Sequence, residues 1–304
     1  MSPPRPLNPW LKALLALIVL EALGAVGMLI FVATFFRPLQ LWANVVAGSR
    51  EGTPLVVVQL RAHAGDAAAQ AELGRRYYRG QGGVPRDDAQ ALAWLQKSAD
   101  QGNARGENFL GLMYDTGAGV PPDPVMAIAW YRKAAAQDFP AAEANLGEHF
   151  YRGRGVERDY VMALNLFRQA AAHQDAMAED FLGAMYEKGR GVSADPAQAL
   201  AWYQQSAAHG SIPGEYNLGN AYLRGIGTPV DNDKALYWLQ KSAARGYGKA
   251  DYLLGYMYDQ GLGVPPNSVA ASDWYRKAAS AGYHPPPAAN PAPPNDTTNA
   301  PPQP

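Results

Sequence analysis

Residues 110–135, LGLMYDTGAGVPPDPVMAIAWYRKAA, decide the fold, because most of the chain repeats them. The leucine-glycine step that opens this stretch recurs with glycines at 74, 111, 147, 183, 219 and 255, spaced first by 37 residues and then four times by 36. Three residues after each glycine stands an aromatic: Tyr77, Tyr114, Phe150, Tyr186, Tyr222, Tyr258. A second glycine follows at Gly80, Gly117, Gly153, Gly189, Gly225 and Gly261, and a third at Gly83, Gly119, Gly155, Gly191, Gly227 and Gly263. Then come Asp87, Asp123, Asp159, Asp195, Asp231 or Asn267, and a tryptophan at 94, 130, 202, 238 and 274, with Leu166 in the third copy. A fixed period of this length means stacked helical pairs rather than one globular core.

Each part of the motif has a mechanical reading. Small and apolar residues at three- and four-residue spacing make the segment up to the aromatic a first helix. Paired glycines stop it, since a tight turn needs backbone angles that other residues resist. The aspartates cap a second helix by accepting from its free N–H groups, and Pro124 and Pro196 sit at its tolerated first position. Gly102, Gly210, Gly246 and Gly282 end that helix; Asp138 and Gln174 hold the slot in the second and third copies, where a less sharply fixed end is expected. Glycine inside a helix costs roughly 1 kcal/mol against alanine, so its recurrence predicts close helix–helix approach. Small residues five positions earlier (Ala69, Gly106, Ala142, Ala178, Gly214, Ala250) fit this. The tryptophan is expected to fill the space between neighbouring pairs, for on the order of 4–6 kcal/mol at most. With Leu166 in that slot, the third repeat is expected to be the weakest link.

The run of leucine-glycine, tyrosine, G-x-G-V, aspartate, alanine, tryptophan-tyrosine and lysine-alanine-alanine resembles the Sel1-like repeat, a relative of the tetratricopeptide repeat, in six copies over residues about 67–282. The resemblance implies an all-α, right-handed α-solenoid with a concave face, and scaffold or adaptor work in bacterial envelope assembly or signalling. Residues 54–65 read as an orphan second helix that caps the stack, so the solenoid is expected over 54–282. Some relatives are linked to β-lactam hydrolysis, but those are cysteine-rich and this chain has no cysteine; Ser98, Ser206 and Ser242 lack an S-x-x-K context. The expectation is a protein that is not an enzyme.

The two ends differ from the repeats. After a short flank, residues 1–12, residues 13–36 form an apolar stretch of 24 residues with one charge, Glu21. As a helix it spans about 36 Å, enough for a hydrocarbon core of about 30 Å. Trp10, Lys12, Arg37 and Trp42 stand where interfacial anchors belong. The stretch far exceeds the roughly 7–15 residues of a signal-peptide core, so an uncleaved signal anchor is expected, followed by a linker over 37–53. A short N-terminal flank and a large C-terminal domain fit a single-pass inner-membrane protein with a cytoplasmic N-terminus and periplasmic repeats. Residues 283–304 carry nine prolines and no large apolar residue beyond Tyr283, the composition of a disordered, partly polyproline II tail.

A net charge of −1 gives no electrostatic case for nucleic acid. Of the five histidines, His173 and His209 share one repeat position near second-helix ends, where a polar or cationic group suits the helix dipole. The glycine-rich segments follow helices and lack a Lys-Ser or Lys-Thr, so they read as turns rather than phosphate loops. No cofactor or metal is expected. What remains is the variable surface of the first helices. Arg79, Arg152, Lys188 and Arg224 share one register and suggest a basic row, while Tyr216, Asn217, Asn220, Tyr252 and Tyr256 suggest an aromatic and amide patch suited to peptide or glycan contact. The leading expectation is a membrane-anchored scaffold holding a protein partner in the concave groove; the alternative is a periplasmic module binding peptidoglycan or a peptide.

Overall fold

A computed structural model describes residues 53–285. Among them are thirteen α-helices and no strand. Helix α1 (Leu55–His63) precedes six hairpins: α2 (Ala67–Arg79) with α3 (Asp88–Asp100), α4 (Ala104–Thr116) with α5 (Pro124–Ala135), α6 (Pro140–Arg152) with α7 (Tyr160–Ala172), α8 (Ala176–Lys188) with α9 (Pro196–Ala208), α10 (Ile212–Arg224) with α11 (Asn232–Ala243), and α12 (Gly248–Gln260) with α13 (Ser268–Ser280). Helix α1 occupies the place of a second helix at the head of the stack, with Val58 and Ala62 buried against Leu73 and Trp94. The flank 1–12, the apolar stretch 13–36, linker residues 37–52 and the tail from 286 onward lie outside the described residues. Among the described residues no helix is long and apolar enough to cross a membrane.

The capping chemistry explains the helix boundaries. Every second helix of the six hairpins starts at an Asp or Asn whose side chain accepts from backbone N–H groups; Asp123 accepts from Val125 and Met126 at 3.0 Å each. Every first helix ends at a left-handed glycine, from Gly80 to Gly261. The later glycine of the turn serves a different purpose, contact with the preceding repeat. At Gly227, with φ +68°, a Cβ would stand 2.1 Å from the Pro196 carbonyl oxygen.

The helical glycines are sites of close approach, and the group packed on them is the residue after the tryptophan. Leu95, Tyr131, Phe167, Tyr203, Leu239 and Tyr275 press on Gly74, Gly111, Gly147, Gly183, Gly219 and Gly255. A Cβ at Gly183 would lie 2.5 Å from the Tyr203 ring. This neighbour fills the contact inside each hairpin, while tryptophan packs between repeats: Trp94 against Val58 and Ala62 of α1, and Trp130 against the cluster of Ala91, Leu95 and Ala99. The tryptophan sits further out, with a lysine one turn on lying over its face: Lys133 is 3.9 Å from the Trp130 ring centre and Lys277 is 3.8 Å from that of Trp274. Leu166 is 8 % exposed, the same as Trp94, and Phe167 beside it is fully buried. Nothing in this packing leaves the third repeat short of core.

Buried Ser98, Ser206 and Ser242 tie each second helix to the start of its own first helix, donating to the carbonyls of Ala67, Ala176 and Ile212 at 2.7, 2.7 and 3.0 Å. The second-helix ends in the second and third repeats are fixed like the others. Asp138 and Gln174 take the left-handed conformation at φ 55° and 62° that glycine holds elsewhere. At Gly102, Gly210, Gly246 and Gly282 an added Cβ meets nothing within 4 Å, so the cost at these two positions is local backbone strain alone. Asp138→Gly and Gln174→Gly are each expected to raise stability by up to about 1 kcal/mol, read as a shift in urea midpoint at unchanged slope; a loss of stability in both would contradict the strain argument.

Consecutive first helices touch one another, as α2 does α4 and α8 does α10, while second helices of successive repeats make no comparable approach. Helices on the shorter arc of a curved stack pack closer, so the first helices line the inner face.

Candidate partner-binding surface

The inner face is built from first-helix residues that project one or two turns apart. Amide and carboxylate side chains link neighbouring repeats across it. Asn145 donates to Asn108 Oδ1 at 3.0 Å, and Asn217 donates to Asp180 Oδ1 at 2.7 Å. Asn220, 3 % exposed, has an Oδ1 with no hydrogen-bond partner among the described residues. The tyrosines of the expected patch lie deeper than a surface patch would. Tyr216 is buried edge-on to Tyr247 at 5.3 Å, and Tyr252 is buried against Tyr275 and Tyr283 at 5.3 and 5.5 Å. Of the five residues, Tyr256 keeps a half-exposed side chain. The set is a packed layer in the last two repeats, because Tyr247 covers Tyr216 and Tyr275 and Tyr283 cover Tyr252 from the ends of their own repeats.

The basic row is present in sequence register, but Arg152 and Arg224 are paired with carboxylates. Arg152 donates to Glu148 at 2.7 Å and lies over the Phe181 ring at 5.9 Å. Arg224 stands 3.5 Å from Glu187, and Arg79 lies over Phe109 at 5.8 Å. Lys188 is half-buried in the same register. The row therefore offers polar contacts with alternating sign rather than a strong positive field.

A second row was not foreseen in the sequence. Four residues before each helical glycine stands Gln70, Glu107, Glu143, Glu179, Glu215 or Asp251, and each is at least nine-tenths buried. These groups face the end of their own second helix, where partners change from repeat to repeat. Gln101 donates to Gln70 at 2.7 Å and Gln137 to Glu107 at 2.8 Å. His209 Nδ1 lies 2.8 Å from Glu179, and Lys241 and Arg245 lie 3.1 and 3.3 Å from Glu215. His173 and His209, unexplained as a pair beyond the helix dipole, are thus counter-groups to Glu143 and Glu179. The sequence signal was available: one acidic register and one basic or amide register, 30 residues apart in Glu107 and Gln137.

Burial raises the pKa of Glu107, Glu143, Glu179 and Asp251, opposed by Lys133, His173, His209 and Lys277 respectively. Such a carboxyl holds its proton more tightly folded than unfolded. The stability it adds is complete below its ordinary value, 4.5 for a glutamate, and is lost as pH rises through the raised value. Glu72 acts oppositely: Arg75 and then Arg76 hold it down at about 2, so its contribution is lost only as pH falls from 4.5 toward that value. Melting temperature is therefore expected to rise as pH is lowered from neutrality toward the ordinary glutamate value of 4.5. Glu143, 3 % exposed and with Oε2 unpartnered among the described residues, is the sharpest case. Because Gln70 shows that the slot takes an amide, Glu143→Gln should gain about 1 kcal/mol at neutral pH and flatten the profile. A melting temperature that drops steadily over that range, or a destabilised Gln variant, would contradict this account.

No group of His, Asp and Glu among the described residues is arranged to hold a metal ion. Tandem hairpins, a continuous inner face and no clustered reactive side chains define a helical-repeat solenoid, a class that typically serves protein interaction rather than catalysis. The Sel1 repeat model matches residues 67–103, 104–139, 140–175, 176–211, 212–247 and 248–283, and the chain belongs to the Sel1 repeat family. Its structure is similar to that of a protective antigen from uropathogenic Escherichia coli strains displaying an SLR fold, with TM-score 0.61 and 34 % identity over 76 % of this chain and 50 % of that one. It is also similar to a Sel1 repeat protein from Oxalobacter formigenes, with TM-score 0.64 and 36 % identity over 70 % and 85 % of the two chains. This chain spans only half the length of the E. coli antigen. An immunity protein from Pseudomonas aeruginosa, 21 % identical, shares the fold at TM-score 0.50 over 71 % of this chain and 81 % of its own. No curated protein matches the chain.

Proposed function

We propose that the chain is a membrane-anchored scaffold that holds a protein partner along the inner face of its solenoid, in bacterial envelope assembly or signalling. The observation that carries this reading is the continuous first-helix face, lined with paired charges (Arg152 with Glu148, Arg224 with Glu187) that can exchange internal partners for those of a ligand, over the buried Asn217–Asp180 pair. Residues 13–36 supply the anchor, in a single-pass inner-membrane arrangement with the repeats in the periplasm. Lys188 and Tyr256 complete the contact strip, and Tyr216, Asn220 and Tyr252 support it from beneath.

Affinity capture from solubilised membranes tests the groove, comparing the unaltered chain with a combined Arg152→Glu, Arg224→Glu and Tyr256→Ala variant whose helicity is checked by circular dichroism. Loss of a partner from the variant is the expected result; the same partners in the same amounts would sink the assignment. A periplasm-dependent reporter fused after Pro304 should be active, and silence would overturn the topology. A second reading, a peptidoglycan- or peptide-binding module, draws on the Asn220 amide oxygen, which has no hydrogen-bond partner among the described residues. Co-sedimentation with purified peptidoglycan should show retention above a control solenoid if that reading holds.

A further inference from the structure

Among the described residues the stack finishes in an open aromatic face. In an inner repeat, the residue after the tryptophan is sealed by the next first helix: Tyr203 is 1 % exposed and shares a core with Leu218, Ala221 and Tyr222 of α10. The matching residue of the last repeat, Tyr275, is only half-buried. It packs on Tyr252, whose ring in turn meets Tyr283 edge-on at 5.5 Å, and Tyr256 is half-exposed beside them. Asp259 stands exposed at the register where Asp115 and Glu187 meet Arg154 and Arg224 of the following repeat.

The chain leaves from this same face. Tyr283 donates its N–H to the Ala278 carbonyl at 2.9 Å, and its Cβ lies 2.9 Å from where Gly248 would carry one. Counting on by the 36-residue period, residues 284–296 fall in the slot of a seventh first helix, with Asn290, Pro293 and Pro294 in the registers of Leu218, Ala221 and Tyr222. Prolines at 285, 286, 287, 291, 293 and 294 bar a helix there, since each lacks an N–H and its ring clashes with the turn before it. The same residues favour polyproline II, a preordered strand that docks on open aromatic rings. Nine residues in that form reach about 28 Å, longer than the roughly 20 Å of a thirteen-residue helix, so residues 286–294 can cross the whole face without a linker.

We infer that residues 286–294 dock as a polyproline II strand on the Tyr256 and Tyr275 end of the last repeat, where a seventh first helix would otherwise lie. The proposal is independent of the membrane anchor, and it takes Tyr256 from the end of the inner groove's contact strip. Hydrogen exchange of the full chain in detergent tests it, against a chain ended after Pro285 and a Pro291→Ala, Pro293→Ala, Pro294→Ala variant. Both altered chains should exchange several-fold faster in α12 and α13, with α2 to α9 unchanged, and the free peptide PPAANPAPP should restore protection to the truncated chain. Unchanged exchange after truncation would overturn the proposal. So would protection in the truncated chain that grows with its own concentration, which marks a second copy as the occupant, or equal rescue by a peptide with alanine in place of every proline.

Discussion

Gly227→Ala is expected to cost about 3 kcal/mol, the sum of left-handed strain and overpacking. The residue holds φ +68°, and the new Cβ would stand 2.1 Å from the carbonyl oxygen and 2.7 Å from the carbonyl carbon of Pro196. Those atoms are backbone at the first residue of α9, so no side chain can swing away and the turn itself must lift off the preceding repeat. Gly246→Ala separates the two contributions. Its φ is +83° but nothing lies within 4 Å of the added carbon, so only strain of about 1 kcal/mol applies. Because a stack is held by nearest-neighbour interfaces, loosening the junction of the fourth and fifth repeats should also split one urea transition into two. Equal costs for the two variants, or a single unshifted transition for Gly227→Ala, would show that this glycine does not set the approach of neighbouring repeats.

The architecture was legible because its signals are local and recur at a fixed period. Capping aspartates, turn glycines and the leucine-glycine step each report a backbone requirement, and six copies make the requirement unmistakable. What the sequence hid is which of two adjacent residues faces inward. Trp130 and Tyr131 are both large and aromatic, and only the rotation of α5 about its axis decides that Tyr131 is 1 % exposed while the Trp130 face is covered by Lys133. The site suffered in the same way. Tyr216, Asn217, Asn220 and Tyr252 were recognisable as unusual, but their burial is set by partners distant in sequence: Tyr247 against Tyr216, Asp180 against Asn217, and Tyr275 and Tyr283 against Tyr252. The carboxylate row escaped notice because a glutamate four residues before a glycine looks like an exposed helix residue until the end of the second helix is folded over it.

Phe167→Ala is expected to be the most damaging single truncation of the third repeat, at about 3–5 kcal/mol. The ring is fully buried, stacks on Phe181 of the next repeat at 4.7 Å with planes 3° apart, and meets Tyr151 at 6.4 Å. A Cβ at Gly147 would lie 2.8 Å from it, so α6 already approaches as closely as it can and has no slack with which to collapse into the cavity. Trp130→Ala removes a larger side chain from a shallower place. That ring is half-buried, its Nε1 has no hydrogen-bond partner among the described residues, and its outer face is covered by Lys133. Partial loss of its apolar area predicts about 1–2 kcal/mol. Thermal or urea unfolding of the two variants therefore ranks the registers directly. If Trp130→Ala proves the costlier, the tryptophan fills the repeat and Leu166 is the deficiency its sequence suggests. With Phe167→Ala costlier, the third repeat owes its strength to Phe167 and to Phe181 across the junction.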